Sequence, residues 1–294
     1  MTDKTAALVA EARQKMKPGF FGLFRKPDEA GELFEKAGGQ YKLAKEWKES
    51  GDTYMLAADA FKEANDTTKT KNMYVEAAKA YKKVSSADAI RVYKIAATMH
   101  SEASQLSSAA KIYKEIGEMY ESDHDLKSAI DAYSQASELF SAEDQVTTGN
   151  QCRVQVANLS AMVEDYRQAI VIYEEVASAS LDNKLLQWSA KGYYFQALLC
   201  HLALSVAGGL DISGADDAIK QYKNVYPAFE GSRECKFCEQ LLESISQCDL
   251  EKFEDALYEF DKISKLDSWK TSILLQIKKA MQKANSEVAE LDLT

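Results

Sequence analysis

The sequence predicts an all-α protein in which antiparallel helical hairpins stack into an array that ends in a helical bundle. A small residue stands four positions before an aromatic one at Ala89/Tyr93, Ala109/Tyr113 and Ala129/Tyr133. The tyrosines of these pairs are 20 residues apart, and a fixed period of this size is typical of stacked helical hairpins. The chain of 294 residues has three prolines and no strand-length alternating run of β-branched residues, which favours helix throughout. We therefore expect a TPR-like twisted sheet of hairpins, a right-handed α-solenoid, with a C-terminal bundle.

The small–aromatic pair recurs outside this segment, and residues four apart share one face of a helix. The small residue leaves room for a neighbouring helix and the aromatic side chain fills the gap, so these positions are expected to be core. Further pairs are Ala57/Phe61, Ala77/Tyr81, Ala169/Tyr173 and Ser189/Tyr193. We call the whole series of pairs the ladder. Two irregularities remain: the step from Tyr81 to Tyr93 is 12 residues, and Arg153 stands where the spacing predicts an aromatic residue.

In chain order, the first helix is predicted over about residues 3–16, followed by a loop between Pro18 and Pro27. Asp28 is the predicted N-cap of the next helix, which is expected to run to about Gly51 and to break or loosen near Gly38-Gly39. Later helices are predicted at about 52–65, 68–84, 87–104, 106–121, 125–141, 146–164, 166–179 and 184–206, with three or four more between about 215 and 283. The predicted domains are an array at 1–207, a bundle at 208–285 and a short acidic tail at 286–294.

Charge and cysteine content argue against some classes of function. The chain has 36 basic and 46 acidic residues, a net charge of −10, which disfavours general nucleic-acid binding. Five cysteines, an odd number scattered over a long chain, indicate free thiols in a reducing compartment. The first residues lack the apolar core of a signal peptide, and no apolar run approaches roughly 18 residues. A cytoplasmic protein is expected.

No group of residues has the spacing of a catalytic, metal or cofactor site. The three histidines have no cysteine or carboxylate at ligand spacing in a known motif and are interpreted as ordinary surface or core residues. Cys235 and Cys238 form one CxxC on a predicted helix, without the second pair of a zinc site or the preceding strand of a redox site. Phosphate-binding loops and nucleophile elbows do not occur in the sequence. We expect no enzyme activity, no metal and no cofactor.

Four large apolar residues lie within five positions of a loop rich in proline and glycine: Phe20, Phe21, Leu23 and Phe24. Such a loop either folds back onto the first helices or exposes its side chains to a membrane or a partner. In a membrane each apolar side chain would contribute roughly 1.5–3 kcal/mol at most. The two basic residues that follow would add about 1 kcal/mol each at an anionic surface. The result would be a weak, reversible anchor.

Basic pairs flank three of the ladder tyrosines, at Lys79/Lys82, Arg91/Lys94 and Lys111/Lys114. Residues three apart share one helix face, and here that face is turned away from the buried aromatic side chain. The pairs are either a solvated lysine face or a basic surface for an acidic protein partner. Because alternate helices of a solenoid face opposite surfaces, the three pairs cannot all line one groove.

The last residues of the chain combine apolar and acidic character, in the order Glu290-Leu291-Asp292-Leu293-Thr294. One interpretation is a disordered terminus. The other is a short peptide that inserts Leu291 or Leu293 into a partner.

Several segments together resemble the soluble NSF attachment proteins (SNAPs), and the similarity covers nearly the whole chain. The most specific segments are FFGLF at 20–24, SAK at 189–191, ALLCH at 197–201, YPAF at 226–229, SRECK at 232–236 and LDSW at 266–269.

The resemblance implies a non-enzymatic adaptor for the AAA ATPase NSF in membrane fusion and vesicle traffic. Several copies would surround a syntaxin-like four-helix SNARE bundle and present their C-termini to the NSF hexamer, which disassembles the bundle with ATP. It also implies a peripheral membrane contact through the apolar loop and no nucleic-acid partner. The implied SNARE-binding residues are Lys82, Lys111, Lys114, Arg153, Lys191 and Arg233. The implied NSF-binding residues are Glu243, Leu291 and Leu293, of which the leucine next to the C-terminus stimulates the ATPase.

The chain departs from the family pattern at four places, of which one is the tail, where Thr294 is the last residue and two leucines stand instead of one. Gln151 stands where the family has a lysine, and Arg153 is the candidate that would supply the charge. Residues 208–213 resemble an insertion. Ser246 and Gln247 replace a pair of glutamates expected after Glu243.

A second interpretation belongs to a different class, a general TPR-like scaffold that binds a peptide in its groove. The apolar loop discriminates between the two, because a peptide-binding scaffold has no need of exposed phenylalanines.

Overall fold

The structure is a computed structural model that describes residues 2–17 and 25–291. Within these ranges every regular element is helical, which confirms the predicted fold class. The α-helices are α1 Thr2–Met16, α2 Pro27–Leu43, α3 Trp47–Glu63, α4 Thr67–Tyr81, α5 Ser86–Glu102, α6 Leu106–Ser122, α7 Leu126–Ala142, α8 Val146–Met162, α9 Tyr166–Leu181, α10 Gln187–Ala207, α11 Ser213–Val225, α12 Arg233–Ser246, α13 Leu250–Ile263 and α14 Ser268–Leu291. A short 3₁₀ helix at Pro227–Phe229 follows α11.

Contacts divide the chain into two compact units, Met1–Cys152 and Arg153–Thr294, so the division falls within α8. In the first unit, α1 to α7 pack against one another in chain order. The sequence-based partition into 1–207, 208–285 and 286–294 is drawn differently and stays a prediction. None of the helices in the described ranges is both long enough and apolar enough to cross a membrane.

The helices from α2 to α9 begin at residues 27, 47, 67, 86, 106, 126, 146 and 166, so successive starts are 20 residues apart with one step of 19. The eighth residue of nearly every helix is aromatic: Phe34, Tyr54, Tyr74, Tyr93, Tyr113, Tyr133 and Tyr173. Phe61 and Tyr81 instead occupy the fifteenth position, two turns further along the same face. The 12-residue step from Tyr81 to Tyr93 therefore runs from the fifteenth position of one helix to the eighth position of the next. The 20-residue repeat of the helix starts is nearly regular.

The ladder also continues differently at α10 than the sequence predicts. Counting from Gln187, the eighth residue is Tyr194, which is buried, whereas Tyr193 is only partly buried. The buried aromatic is shifted by one residue because α10 begins 21 residues after the start of α9, one more than the 20-residue repeat. Tyr113 is likewise partly buried, and the other predicted ladder aromatics are core.

Glycines face the aromatic rings of the next helix in the first unit. A Cβ at Gly51 would lie 2.6 Å from Cε1 of Tyr81, and one at Gly31 would lie 2.6 Å from Cε1 of Phe61. Both glycines are the fifth residue of their helix, opposite the fifteenth residue of an antiparallel neighbour. The missing side chain is what lets the two backbones approach closely enough to bury the ring.

The predicted break near Gly38-Gly39 is wrong, because both glycines lie inside the continuous helix α2. The ring of Tyr54 lies against Gly38, where a Cβ would come within 2.9 Å of Cδ1. Tertiary packing thus outweighs the low helix propensity of two adjacent glycines. The chain turns instead at residues 44–46, where Lys45 has a φ of 61°.

The same turn recurs between hairpin helices, and each instance contains one residue in the left-handed region. These residues are Lys45, Asn65, Ser104, His124, Asp144 and Glu164. After several of these turns an aspartate side chain accepts a backbone N–H of the next helix, as at Asp66, Asp125 and Asp165. The prediction that Asp28 caps α2 is wrong: Pro27 takes the first helical position, so Lys26 precedes the helix and Asp28 lies in its first turn.

The second unit is built around α10, whose buried leucines Leu198, Leu199 and Leu202 face neighbouring helices. Helices α9, α11, α12 and α14 pack against it. Aromatic side chains fill the interior, including a stacked pair of Phe237 and Phe260 with ring centroids 4.2 Å apart. The three or four helices predicted for this part of the chain are four, α11 to α14.

Asn158 of α8 joins several helices of the second unit through hydrogen bonds. Its Oδ1 accepts the hydroxyl of Tyr173 at 2.6 Å and the amide of Gln196 at 3.1 Å. Its backbone carbonyl accepts Nε1–H of Trp269 at 3.0 Å. Burial raises the pKa of Tyr173, so this hydroxyl stays protonated and able to donate.

Substituting two glycines tests the packing of glycine against aromatic rings. Gly51→Ala should lower the free energy of unfolding by about 1–2 kcal/mol, because overpacking costs about 1–3 kcal/mol and better helix propensity returns up to about 1 kcal/mol. Gly39→Ala is the matched control, since its Cβ would have an ordinary contact at 3.6 Å. It should raise the free energy of unfolding. Chemical denaturation measures both, and equal stabilisation by the two substitutions would contradict the proposed packing.

Candidate functional site

A row of lysines follows the even-numbered helices of the first unit. Lys42 of α2 donates to Glu76 of α4 at 2.6 Å, and Lys82 at the end of α4 donates to Glu115 of α6 at 2.8 Å. These contacts join neighbouring helices of one layer. Sequence analysis missed Lys42, although it follows Tyr41 as Lys82 follows Tyr81. That shared position was the available signal.

The lysines of this row that are not neutralised by a carboxylate among the described residues lie on α6. Lys111 is exposed and Lys114 is half-buried. Glu115 is one turn after Lys111, so Lys82 and Lys111 approach the same face of α6. Within the residues that the structure describes, neither Lys111 nor Lys114 forms an ion pair with a carboxylate. The structure therefore brings Lys82, Lys111 and Lys114 together as one basic surface, with Lys42 further along the row.

Glu76 neutralises part of the row near α2 and α4. Burial alone would raise its pKa, but hydrogen bonds from Lys42 and Lys79 outweigh burial and lower the pKa below its ordinary value. Glu76 therefore stays ionised at neutral pH. The lysines of α6, which lack such a partner, are the more available cations.

Arg91 and Lys94 lie elsewhere, as expected for the intervening helix α5. Lys94 donates to the hydroxyl of Tyr120 at 3.1 Å and lies 5.4 Å from the centre of its ring. Nine residues, or two and a half turns, separate Tyr120 from Lys111, so the two lie on opposite sides of α6. Lys94 therefore does not contribute to the surface formed by Lys82, Lys111 and Lys114.

In the second unit, Lys191 forms an ion pair with the residue that follows Arg233, and this places the two cations near each other. Lys191 of α10 forms an ion pair with Glu234 at 2.9 Å, and Arg233 is the preceding residue on α12. Arg233 donates to Oγ of Ser264 at 2.7 Å and stacks over Phe260 at 5.5 Å. The guanidinium is exposed yet held in one orientation.

Arg153 occupies the aromatic position of α8 and forms an ion pair with Glu175 of α9. It lies two residues after the exposed Gln151, which rotates it by about 200° around the helix. The helix geometry therefore argues against Arg153 as a replacement for a lysine at residue 151. Its role in binding stays a prediction.

Two large apolar side chains beside Lys191 were missed from the sequence. Leu185 is 88% exposed and Trp188 is 78% exposed. Trp188 lies three residues before Lys191, so both project from the same face at the start of α10. The available signal was the presence of two large apolar residues around the start of α10, where the 20-residue repeat is interrupted.

The predicted NSF-binding residues are placed only in part. Glu243 is exposed near the end of α12, where Nζ of Lys252 lies 3.9 Å away. It lines a surface depression of about 310 Å³ together with Asp255 and Glu259. Leu291 is the last residue of α14, but its side chain lies outside the described side chains. Leu293 and the apolar loop, Phe20, Phe21, Leu23 and Phe24, also lie outside the described residues.

Comparison with known proteins identifies the family. A family model for "Soluble NSF attachment protein, SNAP" matches residues 3–282. The chain belongs to the soluble NSF attachment protein family. This confirms the resemblance drawn from the sequence segments.

Named relatives agree with this assignment. The SNAP-family chain is 40% identical over 140 residues to the alpha-soluble NSF attachment protein of Mus musculus, covering 48% of this chain and 45% of the relative. It is 40% identical over 146 residues to the Dictyostelium discoideum protein of that name, covering 50% and 48%. It is 41% identical over 140 residues to the vesicular-fusion protein SEC17 of Coprinopsis cinerea, covering 48% and 47%. The chain thus spans about half the length of the curated relatives it matches.

One solved structure that is similar to this SNAP-family chain is more distant in sequence. A STAND protein with a tetratricopeptide repeat sensor from Pyrococcus horikoshii aligns over 96% of this chain and 45% of that one. The TM-score is 0.49 and the sequence identity is 13%, so nothing further rests on it.

The cysteines of this SNAP-family chain are free, and four of the five are buried. Burial raises the pKa of Cys235 to about 11 and raises the pKa of Cys238 well above its ordinary value. At neutral pH both members of the CxxC are therefore thiols. Among the described residues, no three or more metal-binding side chains cluster as a metal site would require.

Thiol reactivity should follow this burial. In the native chain only the half-buried Cys248 should react quickly with a disulfide reagent, and the other four thiols should react after denaturation. Counting released reporter thiolate at neutral pH checks this, and Cys248→Ser should remove the fast phase. A fast-reacting thiol in that variant would contradict the burial of the other four cysteines.

Proposed function

We propose that this chain is a non-enzymatic adaptor that binds the SNARE four-helix bundle, recruits NSF and stimulates ATP-driven disassembly of the bundle in membrane traffic. Family membership supports this over a general peptide-binding scaffold. The observation that carries the proposal is the basic surface of α6, where Lys111 and Lys114 lack ion-pair partners among the described residues. A local surface of this kind can bind acidic helices although the whole chain is acidic.

The paired cations support the same proposal because they are held in place before a partner binds. Lys82 is paired with Glu115 and Lys191 with Glu234. Exposed pairs of this kind contribute only about 0.2–1 kcal/mol, so a carboxylate of the bundle can replace the internal partner at little cost. Lys42 and Arg233 are further candidates, each within its own unit.

Individually weak contacts are consistent with several copies acting on one bundle. Once one copy is bound, further contacts become intramolecular and their effective concentration rises. The number of copies is part of this proposal and rests on the family resemblance.

Leu185 and Trp188 would add apolar contact area beside Lys191. Tryptophan is enriched among residues that dominate binding energy, and two exposed large side chains next to a cation fit a helix that alternates acidic and apolar residues. We include both residues in the proposed SNARE-binding surface.

The apolar loop is proposed to contact the membrane as a weak peripheral anchor. Phe20, Phe21, Leu23 and Phe24 would enter the apolar region. The residue after them, Arg25, forms an ion pair with Glu63 of α3 at 2.8 Å. This contact supports a defined end point for the loop on the body of the first unit.

Charge reversal tests the basic surface. Lys111→Glu should weaken binding to a purified SNARE bundle about 5- to 30-fold, because it removes an attraction and adds a repulsion that together amount to about 1–2 kcal/mol. The effect should shrink at high salt. Lys94→Glu is the control, since Lys94 belongs to α5 and contacts the opposite side of α6 through Tyr120, and it should change affinity less than twofold. Equal losses for both variants in a titration would contradict the assigned face.

Polar substitution tests the anchor. Phe20→Ser combined with Phe21→Ser should slow disassembly of bundles embedded in vesicles several-fold, since the apolar contribution to membrane binding is lost. Disassembly of soluble bundles should be unchanged. If both substrates slow equally, the loop packs within the fold instead.

A further inference from the structure

Lys71 of α4 is an almost completely buried lysine, with 4% of its surface exposed. Its Nζ donates to the side-chain oxygen Oε1 of Gln105 at 2.7 Å. Among the residues that the structure describes, Lys71 forms no ion pair with a carboxylate. Burying a charge is costly, and buried charges are usually paired with an opposite charge. The contact between Lys71 and the neutral amide of Gln105 therefore differs from the exposed ion pairs of the other lysines in this row.

Lys71 stands at a position where the two preceding helices have glycine. Gly31, Gly51 and Lys71 are each the fifth residue of their helix. The fifteenth residue of the following helix is aromatic for the two glycines and is His100 for Lys71. The contact of glycine with an aromatic ring, which sets the register of α2 with α3 and of α3 with α4, is thus replaced by polar side chains where α4 meets α5.

Gln105 connects the three helices α4, α5 and α6. Its N–H donates to the carbonyl of His100 at 2.9 Å near the end of α5, and its carbonyl accepts the N–H of Ala109 of α6 at 3.1 Å. Nδ1 of His100 lies 2.8 Å from the side-chain oxygen that also accepts Lys71. The backbone of Gln105 is therefore fixed by the turn between α5 and α6, while its side chain is directed toward α4.

Two side-chain contacts join α4 to α6, and both begin on the same face of α4. Lys82 follows Lys71 by eleven residues, which is about three turns of a helix. Lys71 donates to Gln105, and Lys82 donates to Glu115, ten residues further along the chain. Helices α4 and α6 each pack against α5. Since α4 and α6 do not follow each other in the chain, these two contacts connect them directly.

The two contacts differ in how a partner would affect them. Lys82 and Glu115 are exposed, so the proposed exchange of Glu115 for a carboxylate of the bundle would break their ion pair. Lys71 is buried, and a carboxylate of the bundle cannot reach it. The hydrogen bond from Lys71 to Gln105 therefore continues to join α4 to α6 while the basic surface is occupied.

We propose that Lys71 is a positioning residue that holds α4 and α6 in register through Gln105, so that the lysines of both helices bind the acidic bundle as one surface. These lysines are Lys82 of α4 and Lys111 and Lys114 of α6. This inference rests on the proposed function. Lys71 acts through the relative placement of the two helices, without contact with the bundle.

The test is a titration of the full chain with a purified SNARE bundle. Lys71→Met removes the ammonium and keeps an unbranched buried side chain. The affinity should fall about three- to tenfold, which corresponds to part of the free energy of one charged hydrogen bond. The free energy of unfolding, measured by chemical denaturation, should not fall, because replacing a buried charge by an apolar side chain is often neutral or stabilising.

The salt dependence of the affinity separates positioning from direct contact. The loss caused by Lys71→Met should be the same at low and high salt, since the ammonium does not face the bundle. The loss caused by Lys111→Glu should shrink at high salt. If the loss in Lys71→Met shrinks in the same way, Lys71 is one of the contacting cations and the proposal is overturned.

Two further variants complete the design. Lys69→Met is the matched control on the same helix, because Lys69 is exposed and pairs with Glu32 of α2 at 3.1 Å; it should change the affinity less than twofold. Gln105→Ala should weaken binding as Lys71→Met does. Combining these two substitutions should cause little further loss, because both remove the same contact.

An unchanged affinity in Lys71→Met would overturn the proposal, as would an equal loss in Lys69→Met or additive losses in the combined variant. A fall in both the free energy of unfolding and the affinity of Lys71→Met would also overturn it, because the residue would then support the fold in general. Failure of the proposed function gives a different result: the unmodified chain does not bind the bundle, or Lys111→Glu leaves binding unchanged.

Discussion

The array depends on the close approach of antiparallel neighbouring helices, which glycine allows and an aromatic ring then fills. Gly31 receives Phe61, and Gly51 receives Tyr81, at distances that leave no room for a Cβ. The two pairs are one 20-residue repeat apart, and each sets the register of one pair of helices, α2 with α3 and α3 with α4. The stacking of the first unit follows from this local interlock, since each helix packs against its neighbours in the chain.

The interlock also decides which side of each helix remains available for binding. With the aromatic residues of α6 turned inward or toward α5, Lys111 and Lys114 must project from the opposite side. The cations and apolar side chains that this packing leaves exposed are the ones on which the proposed function rests. A chain with a net charge of −10 can still present a basic surface, because among the described residues Lys111 and Lys114 form no ion pair with a carboxylate.

The second unit also contains a hydrogen-bond network that is centred on the partly buried Asn158. Asn158 receives hydrogen bonds from Tyr173, Gln196 and Trp269, which belong to three different helices. An unmatched polar group there would cost about 1–3 kcal/mol, so such a network specifies one arrangement of helices more strictly than apolar contacts do.

The sequence by itself determined the all-α fold class, most helix boundaries and the burial of most ladder aromatics, because these follow from local periodicity and composition. It also identified the family and the basic residues on α4, α6, α10 and α12. Only the tertiary structure decided that Gly38-Gly39 continues a helix, since the stabilising ring of Tyr54 comes from another element. It likewise decided which cations are already paired, and that Leu185 and Trp188 are exposed beside Lys191. These properties depend on contacts between residues distant in sequence, which no local pattern encodes.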